Sequence, residues 1–162
     1  MEQQFIFEAL PQNTDELMAM PEYALATPFQ AAALTVAALC RWETDPKASI
    51  DMLNALKGPR PLSPYEQSFL RERLAGKGYK PFSFFRGATP ANDYTPDKPY
   101  VITIQDNPYS YTDEEYARLL IPSGGADTPR PITLRKRRDQ WLLWDQALLA
   151  DIRIPAKDDP WA

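Results

Sequence analysis

The chain of 162 residues carries 18 Lys and Arg against 22 Asp and Glu, no His, one Cys, 17 Pro and 6 Gly. Without His, neither a Ser-His-Asp nor a Cys-His catalytic unit can be assembled, and the commonest transition-metal ligand is missing. A single Cys excludes an intrachain disulfide and a thiolate cluster, so no metal site is expected and no cofactor is indicated.

The length suits one self-sufficient core, and residues 1–162 are expected to form a single α+β domain. Each half of the chain carries a net −2. That even acidic balance argues against nucleic acid or an anionic membrane as the main partner. The opening residues Met1-Glu2-Gln3-Gln4-Phe5 put an acid where a signal peptide has its basic region, and the longest apolar run, Ala31 to Cys40, is too short to span a bilayer. The expectation is a soluble, cytoplasmic protein.

Helix-start signals dominate residues 1–76. Thr14 before Asp15-Glu16, Thr27-Pro28-Phe29-Gln30, Asp45-Pro46 and Ser63-Pro64-Tyr65-Glu66 each combine a capping oxygen with proline or acids in the first turn. They predict helices over 14–20, 28–43, 46–57 and 64–75, with Gly58 and Gly76 closing the last two. The second helix is apolar around most of its circumference and should be the central core element, its alanines admitting close neighbours. Cys40 on that helix reads as a small buried hydrophobe. Ile50, Leu53 and Leu56, then Tyr65, Phe69, Leu70 and Leu74, give the next two helices an apolar face.

Residues 77–99 form a long connection, rich in aromatics and proline and therefore ordered. Beyond it the pattern changes to period 2. Tyr100 to Gln105 reads as a strand, and Ile132 to Lys136 with Trp141 to Trp144 as an antiparallel hairpin. Leu119 to Ile121 suggests another strand, preceded by a helical turn at Thr112 to Glu115. A short helix is expected near Asp145–Ile152, then an irregular tail. The resulting architecture is N-terminal helices packed on a C-terminal antiparallel sheet of three to four strands.

The segments Leu56 to Glu66, Phe85 to Pro96, Asp106 to Tyr111, Ser123 to Asp127 and Asp159-Pro160-Trp161-Ala162 resemble a family of uncharacterised bacterial proteins known only as a domain of unknown function. The resemblance covers residues 56–162. It implies a bacterial protein and carries over no activity, cofactor or catalytic residue.

Candidate sites must therefore be read from the residues. The connection offers Arg86, Asp93 and Tyr94 as ligand-binding groups beside a packed lid; the plainer alternative is that its aromatics cover a sheet edge. Arg135 and Arg137 project to one side of the hairpin, Lys136 and Arg138 to the other, where they serve solubility or meet a phosphate or an acidic protein. Bases and aromatics also interleave from Arg71 to Arg86, as in single-strand binders, although cations at a helix C-terminus offset its dipole without any ligand. Ser123-Gly124-Gly125-Ala126-Asp127 lacks a phosphate-loop lysine and reads as a turn, and Asp113-Glu114-Glu115 as first-turn acids rather than a cation site. Asp93, Asp145 and Asp151 are the carboxylates available for acid–base work. The leading expectation is a non-catalytic binding or protein-interaction module of a bacterial cytoplasm, with an unidentified protein or small molecule as partner. The alternative is a His-free enzyme or small-ligand binder with a pocket between helices and sheet.

Overall fold

Each of the four longer helices starts at a side-chain oxygen that accepts the amide three residues on, satisfying a donor the helix itself cannot. In the computed structural model, which describes residues 1–162, Asn13 caps α1 (Thr14–Ala19), Thr27 caps α2 (Pro28–Cys40), Asp45 caps α3 (Pro46–Lys57) and Ser63 caps α4 (Pro64–Leu74). Proline opens α2, α3 and α4, where its missing amide costs nothing. The cap of α1 is Asn13, one residue ahead of the expected Thr14. Residues Arg41–Glu43 tighten into a 3-10 turn instead of continuing α2. Twelve of the thirteen residues of α2 are buried, every one but Gln30, which makes this helix the axis around which the other elements pack.

Strands β1 (Glu2–Phe7), β2 (Tyr100–Gln105), β3 (Tyr116–Ile121), β4 (Arg130–Arg137) and β5 (Gln140–Gln146) form one antiparallel sheet in the order β1-β2-β3-β4-β5. Strand β1 pairs with β2 along its whole length, from Glu2 opposite Gln105 to Phe7 opposite Tyr100. Strands β2 and β3 meet only at Gln105 and Leu120, so the sheet splays between them. The long connection fills that gap. After the short helix α5 (Tyr79–Phe82), Phe85 bridges Ile102 and the Arg86 amide donates to the Val101 carbonyl at 2.8 Å. Phe84, Phe85 and Tyr94 thereby join a contiguous core of 33 buried residues that includes Leu34, Leu39 and Cys40 of α2.

Four further features differ from the sequence-based expectation. The sheet has five strands rather than three to four, and the additional strand, β1, precedes the helices, so the helical elements are enclosed between strands of one sheet. The segment Thr112 to Glu115 is a turn and not helical, because Asp113 accepts the Glu115 amide through its own carboxylate and β3 starts at Tyr116. No helix forms over Asp145–Ile152. Strand β5 runs on to Gln146, Ala147 donates to the Pro131 carbonyl, and Gln146 Oε1 takes the Leu148 amide, so these backbone groups are satisfied without helical pairing. Tyr65 is 80% exposed and belongs to no core face of α4. No helix is long and apolar enough to cross a membrane.

Candidate functional site

The end of α3 and the start of α4 are locked against the outer strand β5. Gly58 closes α3 with φ +65°, a conformation that L side chains rarely adopt, and a Cβ there would come within 2.8 Å of Leu142 Cδ1 on β5, so a larger residue would strain the turn and displace the Leu142 side chain. Asn54 holds the loop from both sides: its carbonyl accepts the Gly58 amide and its side-chain oxygen accepts the Leu62 amide at 2.8 Å. Ser63 and Glu66 then form a reciprocal capping box, with Ser63 donating its amide to Glu66 Oε1 at 3.0 Å.

The second oxygen of Glu66 is what makes this junction a site. It accepts from Lys57 Nζ at 3.3 Å, and Lys57 also donates to the Trp144 carbonyl at 3.3 Å, while its side chain is only 3% exposed. An ammonium has three protons, so one donor of a buried cation stays uncommitted. Burial pushes the Glu66 carboxyl up, but its hydrogen bond with Ser63 and the neighbouring Lys57 charge outweigh that effect and hold it below the usual carboxylate range. The cap thus fixes the charged pair.

Lys57 lines two adjoining hollows, which share Leu143 and Trp144 with it. One, of about 230 Å³, lies between α3, α4 and β5 and is walled by Leu39, Leu53, Leu62, Phe69 and Leu70. The other, of about 380 Å³, is walled by Arg60, Arg135, Lys136 and Arg137. Trp144 stands at their junction, with the Arg60 guanidinium 4.4 Å and the Arg135 guanidinium 4.8 Å from its ring centre, and Tyr116 edge-on at 5.6 Å. Such stacking keeps two cations beside an apolar opening without neutralising them. Arg135 approaches Glu115 at 3.9 Å, whereas Arg60, Lys136 and Arg137 have no carboxylate within ion-pair distance. In a protein of net charge −4, the free cations are thus gathered on the second hollow, whereas the apolar one carries the Glu66 and Asp145 carboxylates beside Lys57.

Of the residues singled out from sequence, Arg135 and Arg137 therefore share one trough, and Lys136, expected on the opposite side of the hairpin, lines it with them. Arg86, Asp93 and Tyr94 are elsewhere. Arg86 is exposed and lies 3.9 Å from Asp97. Asp93 pairs with Lys157 at 3.0 Å, which raises the ammonium pKa. Buried Tyr94 stacks on Tyr79 at 5.2 Å and donates to the Arg153 carbonyl at 2.5 Å; burial, aided by the neighbouring Tyr79, pushes its hydroxyl up to about 12. Asp93 and Tyr94 line an open groove with Trp42, Tyr79 and Asp158, which shares no residue with the trough. Gly124 and Gly125 hold no free anion cradle, since their amides donate to the Ser83 carbonyl and Ser123 Oγ. Sequence reasoning passed over Lys57 and Arg60; of its candidate carboxylates, Asp145 lines the apolar hollow beside Trp144. The available signal was the pair Lys57-Gly58 ahead of a capping box, which places a lysine beside the next helix start.

The α+β fold and this trough characterise the chain, and residues 9–156 match the family described as a domain of unknown function (DUF6935). The protein belongs to that family. The match reaches further toward the N-terminus than residue 56 and leaves out the segment Asp159 to Ala162. No curated protein and no solved structure matches the chain.

Proposed function

We propose that this protein is a non-catalytic binding module of a bacterial cytoplasm and that its trough receives an acidic peptide segment through one large apolar side chain. The buried Lys57, tied to Glu66 and the Trp144 carbonyl where an apolar hollow adjoins a basic one, carries this reading. The apolar hollow, at about 230 Å³, lies below the roughly 300–1,000 Å³ of small-molecule sites and suits a single side chain. The adjoining arginines match carboxylates in bidentate geometry. The net charge of −4 favours a peptide over single-stranded nucleic acid, whose affinity depends on neutralising several phosphates.

A fluorescein-labelled peptide with one leucine among glutamates tests this by fluorescence anisotropy. Saturable binding is expected, weakened by salt and by replacing the leucine with serine. The double substitution Arg60→Glu with Arg137→Glu, at exposed positions, should abolish it with an unchanged circular dichroism spectrum. Equal binding by the double variant, or tighter binding of a single-stranded RNA at the same trough, overturns the proposal.

A further inference from the structure

The chain itself contains a segment with the chemistry this trough selects. Trp161 is 92% exposed, the most exposed of the large apolar side chains, and it follows Asp158, Asp159 and Pro160. A local turn displays it: the Trp161 amide donates to Asp159 Oδ1 at 2.9 Å, and the Ala162 amide donates to the Asp159 carbonyl at 3.2 Å. Neither Asp158 nor Asp159 forms an ion pair. One part of the surface thus has two carboxylates outside any ion pair beside an exposed apolar anchor, and another has the unpaired cations Arg60 and Arg137 beside an apolar hollow whose own acids, Glu66 and Asp145, are held by Lys57 and by the Gln146 amide.

We infer that the Asp158–Trp161 segment of one copy docks in the trough of a second copy, with the Trp161 indole in the hollow walled by Leu62, Phe69 and Leu70 and the two aspartates against Arg60 and Arg137. The inference rests on the trough being a peptide site. Within one molecule the tail is held elsewhere, because Lys157 is tied to Asp93 at the separate groove lined by Trp42 and Tyr79. The donor and acceptor patches are different surfaces, so the contact is head-to-tail: a copy can give its tail to one neighbour and receive a tail from another, forming a ring or an open chain. Indole burial supplies a large apolar contact at little conformational cost, and the complementary charges set its orientation.

Sedimentation velocity at increasing protein concentration tests the inference. The wild-type mass average should rise with concentration and fall back in high salt. Trp161→Ala, which removes the anchor, and Arg60→Glu with Arg137→Glu, which spoils the trough, should each remain monomeric. Mixed together, they should form a one-to-one complex and nothing larger, since the first keeps an intact trough and the second an intact tail. A wild-type protein that stays monomeric, self-association that survives Trp161→Ala, or a mixture that stays monomeric overturns the inference. The underlying site is scored separately by the acidic leucine peptide: if the peptide binds while the protein stays monomeric, the tail is the wrong occupant, and if the peptide fails to bind, the trough reading itself has failed.

Discussion

Ser49 of α3, fully buried, donates its hydroxyl to the Ala38 carbonyl of α2 at 2.7 Å. A short hydroxyl side chain and a neighbouring alanine allow the two helices to approach and to exchange a hydrogen bond in an otherwise apolar contact. Replacing Ser49 with Ala should cost about 1–2 kcal/mol by removing that bond. Replacing it with Val should cost more, because two methyl groups would occupy a packed interface with the bond also lost. Urea unfolding of both variants checks the order.

The centre of the core can be probed on α2. Leu34 and Leu39 are both fully buried, and Leu→Ala at either position should cost about 2–5 kcal/mol, the transfer term plus the cavity left behind. Chemical denaturation midpoints with unchanged slopes would establish those losses as changes in stability. Losses below about 1 kcal/mol at both positions would show that α2 is not the packing centre.

The pair formed by Lys57 and Glu66 makes a prediction in pH. The Glu66 carboxyl titrates below its unfolded value of about 4.3, so its contribution to stability is complete above that value and is lost as pH falls through the folded pKa. Asp106, whose pKa is lowered chiefly by its hydrogen bond from the Met1 amino group, acts in the same sense. Glu66→Gln should therefore lower stability at neutral pH and flatten its decline in acid. An acid limb identical to wild type would mean that this pair does not govern it.

Glycine substitutions should separate close approach from backbone conformation. A Cβ on Gly124 would collide with the backbone carbonyl of Ala88, which cannot swing aside as a side chain would. Gly76 faces open space and is constrained only by its φ of +68°. Gly124→Ala should accordingly be the more damaging, at about 1–3 kcal/mol or more, against about 1 kcal/mol for Gly76→Ala. Thermal melts of the two variants make the comparison.

Cys40 should be inert in the native protein. Burial first, and the nearby Glu43 carboxylate second, push its thiol well above the usual value, and thiolate is the reactive form. An aromatic disulfide reagent should label it only as fast as the protein unfolds, with full reaction in denaturant. Rapid labelling under native conditions would place the thiol at the surface.

The helical elements were legible because their determinants are local. Proline after a capping residue fixes a helix start within three residues, and the structure places the starts of α2, α3 and α4 at those positions. Strand β1 was missed although Gln3, Phe5 and Phe7 alternate with more exposed residues, because six residues beside much stronger helix signals do not reveal a partner that lies beyond Pro99. The trough was half legible. Alternation groups Arg135 with Arg137 but sends Lys136 away, whereas all three line the trough, and their meeting with Lys57, Arg60 and Trp144 depends on how the Gly58 turn packs on Leu142, a tertiary fact with no periodicity to read.

Strand β1 pairs with β2 across the whole helical part of the chain. During synthesis β1 leaves the ribosome well before Tyr100–Gln105, and its hydrogen-bonding edge has no sheet to join while α1 to α4 are being made. Closing that long loop imposes a large entropic cost that the local helices do not face, so the helices can gather around α2 before the sheet is completed. The same residues that form an edge of the finished sheet spend the nascent chain's early life as an unpaired apolar segment, Phe5-Ile6-Phe7, open to a chaperone or to another growing chain.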